Sequence, residues 1–165
     1  MASPLLVNAT ELLREPGARR RVHVDVPLAD IDAADPRLAG EVEVDVTLAS
    51  SLDDIVVAGE LHVAWSDECR RCLQPLGREL VVDVEERYAP GGGGESFPIE
   101  HGQLDLSPMV REEVLLAVPD APLCRPDCAG LCPTCGADLN AGPCGCDRQV
   151  RDDRWAALDQ LRLED

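Results

Sequence analysis

Lysine is absent from this 165-residue chain, and all 15 basic side chains are arginine. Aromatic rings are nearly absent too: Trp65, Tyr88, Phe97 and Trp155 make up 2% of the residues. The arginines face 32 acidic side chains, for a formal net charge of −17. Residues 1–88 carry 18 acids and nine arginines (net −9), and residues 89–165 carry 14 and six (net −8), so neither half is basic. Nucleic acid needs cations for its phosphates and rings for its bases, which makes this chain a poor platform for it. No apolar run approaches the ~18 residues that a membrane-spanning helix requires. The first ten residues hold neither a basic region nor a long apolar stretch, so no secretory signal is expected and the chain is predicted to be cytoplasmic.

What is present suffices for a core. Hydrophobic residues amount to 45%, and with so few rings the core falls to Val, Leu and Ala. Residues 8–14 have the form of a short helix, with Asn8 or Thr10 as cap and Pro16-Gly17 as stop. Apolar residues then alternate in four stretches: Val22 to Leu28, Val42 to Leu48, Ile55 to Trp65 and Leu80 to Val84. Gly59 is a candidate bulge. Ser107-Pro108 opens a helix to about Val118, and its stripe of Leu106, Met109, Val110, Val114 and Leu115 is expected to pack on the sheet. A second short helix is expected from Asp152 to Leu161. The predicted fold is α+β: a mostly antiparallel sheet or partial barrel of about four to six strands, a packed helix, and a C-terminal Cys-rich zinc-binding segment ending in a short helix. Residues 1–89 form the β-rich domain, 90–103 a flexible linker around four glycines, and 104–165 a second part packed on the first.

The polar side of these strands is acidic: Glu41, Glu43 and Asp45 on one, Glu60 on the next, Asp83 and Glu85 on another. Such a face is either a solvated surface or a docking surface for a basic partner.

The eight cysteines carry the most specific chemistry. In a reducing compartment, clustered cysteines bind metal more often than they pair. Cys132-Pro-Thr-Cys135-Gly136 has the form of a zinc knuckle, in which a sharp turn lets two thiolates reach one ion. Cys144-Gly-Cys146 follows an eight-residue loop, so four thiolates within 15 residues can close a tetrahedral site. The second expected site is Cys69, Cys72, Cys124 and Cys128, although 51 residues separate Cys72 from Cys124. The alternative is that Cys124 or Cys128 joins the later cluster. Cys69 and Cys72 would then be a free or redox-active pair. Arg70, Arg71, Arg125 and Arg148 are placed to offset thiolate charge by hydrogen bonding. Closed four-cysteine sites leave no open coordination position and point to scaffolding. No catalytic constellation is visible: His23, His62 and His101 are scattered, and the glycine run lacks the helix and lysine of a phosphate loop.

Four blocks resemble one family: Cys69-Arg-Arg-Cys72-Leu-Gln-Pro; residues 105–119 from Asp105-Leu-Ser-Pro to Pro119; residues 128–140 around Cys132-Pro-Thr-Cys135; and Asp153-Arg-Trp-Ala-Ala-Leu158. In this order they are similar to the YceD-like large ribosomal RNA subunit accumulation proteins. The resemblance implies a cytoplasmic, non-enzymatic role in ribosome biogenesis, supporting large-subunit ribosomal RNA. The expected partner is a large-subunit component, and the family's gene neighbourhood together with the acidic charge points to a basic ribosomal protein. The expected cofactor is Zn²⁺, one or two per chain. The alternative is a zinc- or redox-sensing regulator that responds through Cys69 and Cys72.

Overall fold

The computed structural model describes residues 3–94, 96–146 and 154. The helix expected over 152–161 lies outside them. The chain divides into two compact units, one of Met1–Glu68 with Pro75–Pro122, the other of Cys69–Gln74 with Leu123–Asp165. None of the described helices is long and apolar enough to cross a membrane.

The first unit is a seven-stranded sheet. Its elements are β1 (Leu6–Asn8), α1 (Ala9–Arg14), β2 (Arg19–Pro27), a 3-10 turn (Leu28–Ile31), β3 (Leu38–Ser50), β4 (Ile55–Glu68), β5 (Pro75–Pro90), β6 (Ser96–Glu100), β7 (Gln103–Asp105) and α2 (Ser107–Ala117). The strand order is β1-β7-β6-β5-β4-β3-β2. The four alternating stretches lie in β2 to β5, and their apolar sides form the core. Val42, Val44, Leu48, Ile55, Val57 and Leu61 are fully buried there, joined by Met109, Val110 and Val114 of α2. Asn8 caps α1, its Oδ1 accepting from Thr10 N at 2.9 Å.

The expectation of an α+β fold on four to six strands is overturned: the protein is mostly sheet, seven strands curled into a half-barrel, with few helices. The missed strands are short. Three residues of β1 or β7 cannot display an alternation, and β6 carries Pro98, which removes a ladder donor. The pairing is not uniform either, because β6 runs parallel to β5. A parallel neighbour ordinarily needs a crossover of about a dozen residues. Here Arg87 pairs with Ser96, and the reversal is made within the glycine run. Gly91, Gly92, Gly93 and Gly94 all take positive φ, between 61° and 117°, conformations that cost other residues much more.

The register irregularity of β3 lies between Ala39 and Val42, not at Gly59. Gly59 stands opposite Val46, where the backbones of β3 and β4 approach too closely for a side chain.

Candidate metal centre

The second unit is assembled from two separated pieces of chain. One is the turn between β4 and β5, closed by Cys69 N donating to Gln74 O (2.8 Å) and Leu73 N to Cys69 O (2.9 Å), with Leu73 at φ 60°. The other begins after Pro122. They meet at Leu131 N, which donates to Arg71 O at 3.0 Å, and at Arg71 Nη1, which donates to Cys128 O at 2.9 Å.

This brings four thiols together. Cys69 Sγ lies 3.8 Å from Cys128 Sγ, and Cys72 Sγ lies 3.7 Å from Cys124 Sγ. All four sulfurs are within 4.8 Å of one another. A tetrahedron with metal–sulfur bonds of about 2.3 Å has sulfur–sulfur edges of about 3.8 Å. The same separations are far too long for a disulfide. Cys69 and Cys128 are buried.

Cys132, Cys135, Cys144 and Cys146 form the other group, again with sulfurs within 4.8 Å. Gly136 N donates to Cys132 O and Cys132 N to Ala137 O, both at 2.8 Å, which makes the tight turn of a knuckle. Gly136 sits at φ 73° and Gly145 at φ 75°, so glycine is needed beside each thiol pair. Cys132 is buried and Cys135 exposed.

The thiols within each group ionise unequally. Burial opposes charge on Cys69, but the backbone N–H groups of Cys124, Cys72 and Arg71 outweigh it and bring the thiol down to about 6. Backbone N–H groups of Cys135 and Thr134 bring Cys132 to about 6 as well. Burial and the neighbouring sulfurs push Cys124 up to about 12, and the Cys135 and Cys144 sulfurs do the same to Cys146. In each group one thiol ionises readily and another resists. Four thiolates coexist only around a positive ion. Each group can therefore hold a metal ion in a closed site.

One residue ties the two groups together, although its place in the sequence marks it only as part of a loop. Asn140 lies between Cys135 and Cys144, yet its Nδ2 donates to Cys128 Sγ at 3.6 Å. Its Oδ1 accepts from Ala129 N (2.8 Å) and Arg125 Nη2 (2.6 Å). Asp138 Oδ1 accepts from Asn140 N at 2.9 Å and from its Nδ2 at 2.7 Å. Of the arginines named above, Arg71 and Arg125 thus reach this shell. Arg148 lies outside the described residues. Residues that orient metal ligands typically contribute 10–100-fold in affinity. Asn140→Ala is expected to speed metal release from the Cys69 group by about tenfold or more. A chromophoric chelator measures this, and an unchanged release rate refutes it.

The acidic strand residues are arranged differently from a uniform patch. Asp45 stands opposite Glu60, and Glu60 opposite Asp83, so three acids cross β3, β4 and β5 in one row. Glu43 faces His62, Glu85 faces Ala58, and Glu41 sits in the irregularity of β3. One arginine and two histidines are interleaved. Arg21 Nε donates to Asp45 Oδ1 at 2.8 Å, and this bond holds the Asp45 carboxyl below its usual range. His23 lies 3.7 Å from Asp45, and His62 lies 3.4 Å from Glu60.

A curled sheet whose β4–β5 turn supplies half of a four-thiol cluster, with a knuckle cluster after it in sequence, defines a β-sheet protein with two four-cysteine groups that could hold metal. The chain belongs to the YceD family, described as large ribosomal RNA subunit accumulation protein YceD, which it matches over residues 57–162. It is 29% identical to an uncharacterised protein of Mycobacterium tuberculosis, over 98% of this chain and 83% of that protein. It is 39% identical to the large ribosomal RNA subunit accumulation protein YCED homolog 1, chloroplastic, of Zea mays, over 81% of this chain and 58% of the maize protein. The homolog 1 of Arabidopsis thaliana is 36% identical over 40% of this chain and 21% of its own length. No solved structure matches the chain.

Proposed function

We propose that this protein is a non-enzymatic, cytoplasmic factor, stabilised by two zinc ions, that supports large-subunit ribosomal RNA by binding a basic ribosomal protein. The observation that carries this reading is the pair of closed four-thiol groups on a chain of net charge −17. Sites with four protein ligands leave no position for substrate and serve structure. All-thiolate tetrahedral sites favour Zn²⁺ or iron–sulfur over hard cations, and a closed single-ion tetrahedron fits zinc. The acid row Asp45, Glu60 and Asp83 repels phosphates and attracts a basic protein over a distance set by ionic strength. Shielding such a protein until it meets RNA would link the charge to the role named for the family.

Removing the protein from cells is expected to lower large-subunit relative to small-subunit ribosomal RNA. Purified full chain is expected to hold a basic large-subunit protein, and Glu41→Arg, Glu43→Arg and Glu85→Arg together to slow its association and reduce its salt dependence. Equal capture by that variant, or tight binding of naked ribosomal RNA at physiological salt, refutes the mechanism.

A further inference from the structure

We infer that the groove between α2 and β6 seats a short basic peptide segment with a large apolar side chain, presented by the basic partner. The inference rests on the partner class proposed above and specifies where that partner is gripped. Two adjoining depressions, of about 340 and 470 Å³, share Phe97, Pro98 and Glu112 and so form one groove beside α2. Its apolar residues are Leu6, Phe97, Pro98 and Pro108. Phe97 is held by stacking on the buried Tyr88, with ring centroids 5.2 Å apart, and Tyr88 Oη is fixed by donating to Asp105 O at 3.2 Å. The floor is thus pre-formed, which reduces the ordering cost of binding.

The rim is anionic. Glu86, Glu100, Asp105, Glu112 and Glu113 line it together with His101, and among the described residues no arginine does. This separates the groove from the sheet face, where Arg21 is bonded to Asp45. The carboxylates crowd one another: burial, then Glu86 and Glu112, raises the Glu113 carboxyl above its ordinary range. Cationic side chains of a ligand would relieve that repulsion, and phosphates would add to it. The strand beside the groove is also partly open. β6 pairs with β5 from Ser96 to Ile99, whereas β7 joins it only at Ile99 and Glu100. Among the described residues Phe97 and Pro98 therefore have a strand neighbour on one side alone, an open side that an extended segment can line although Pro98 offers it no donor. Volume, apolar floor, uncompensated charge and open edge together fit a Lys/Arg-flanked apolar residue in extended chain.

Binding is measured by stopped-flow anisotropy on the zinc-loaded full chain, with a labelled Lys/Arg peptide containing two leucines. Glu86→Gln, Glu112→Gln and Glu113→Gln together are expected to speed its dissociation about tenfold, as three exposed charge pairs would. Their urea midpoint is expected to stay at or above the parent's, since only like charges are diluted. Replacing the peptide's leucines by serine is expected to weaken it on the parent, and Glu41→Arg, Glu43→Arg and Glu85→Arg to change association but not dissociation. Dissociation from the Gln variant at the parent rate, indifference to the leucines, or displacement of the peptide by an RNA oligonucleotide overturns the proposal. If the Gln variant still holds an intact basic large-subunit protein as tightly as the parent, the groove is wrong and the partner class stands. If the parent holds no such protein, the partner class itself is wrong.

Discussion

Replacing Cys128 by serine is expected to cut bound zinc from two equivalents per chain to one and to unfold the part of the second unit built around Cys69, Cys72, Cys124 and Cys128, while the sheet and the Cys132 group persist. Cys128 is buried, its sulfur stands 3.8 Å from that of Cys69, and its carbonyl accepts from Arg71. Removing one of four thiolates leaves an open, mismatched site. Apparent binding energies of structural zinc are on the order of 10 kcal/mol, so losing the ion outweighs any single contact in the region. The described part of Leu123–Asp165 has little else to hold it: among the described residues it contains no named helix or strand, and its buried side chains include Cys128 and Cys132 themselves. The sheet unit has its own core, centred on β3, β4, β5 and α2. Metal analysis with hydrogen exchange checks both halves. Two equivalents in the variant, or unchanged protection over residues 123–131, refutes the assignment. Cys135→Ser is expected to remove the other equivalent. Acid acts on the same balance. The thiols of Cys69 and Cys132 stand below their ordinary value, so as thiolates they stabilise the fold above the unfolded thiol range. In the metal-free chain that contribution fades as pH falls through about 6; a bound metal holds the thiolates ionised to lower pH, because protons must displace it.

Gly59→Ala is expected to destabilise the sheet unit by about 1–3 kcal/mol, the range of mutations that force overpacking in a core. A Cβ at Gly59 would overlap the Asp45 carbonyl oxygen and lie 2.7 Å from Val46 Cα. Both are backbone atoms of β3, so no side chain can swing aside, and β3 and β4 must separate at mid-ladder. Gly77→Ala provides the comparison. It lies in β5, where a Cβ would meet nothing within 4 Å, and it is expected to change stability by less than about 0.5 kcal/mol. Urea unfolding followed on the sheet signal measures both. Equal midpoints for the two variants would show that the close approach carries no energetic weight.

The strands that were legible in sequence are those that bury one face. Val42, Val44, Val46 and Leu48 alternate because solvent lies on one side and core on the other, and a one-residue slip would expose them all. β1, β6 and β7 gave no such signal. They are too short, and β6 owes its place to the glycine reversal at Gly91 to Gly94 and to Tyr88 stacking on Phe97. The cysteine groups were legible for a local reason in one case and a non-local one in the other. Two thiols three residues apart with a following glycine describe their own turn. Cys69 and Cys72 meet Cys124 and Cys128 only because the β4–β5 turn and the chain after α2 converge at Arg71, which spacing cannot express. Asn140 escaped for the same reason, since its bond to Cys128 crosses from one group's loop to the other group's ligand.

The amino-acid sequence by itself determined the acidity of this protein, the inward faces of its four long strands, the start of α2 and the thiol pairs that turn on themselves. These follow from charge count, period and glycine placement, all of which act over a few residues. Tertiary structure alone decided the parallel place of β6, the Arg21 side chain bonded into the acid row on the sheet, the union of the hairpin turn with Cys124 and Cys128, and the anionic groove that gathers Glu86, Phe97 and Glu112. Each of these needs segments far apart in the chain to be brought within a few ångströms. That proximity is set by how the whole core packs, because burying the inner faces of β2 to β5 under α2 fixes where every other segment can lie.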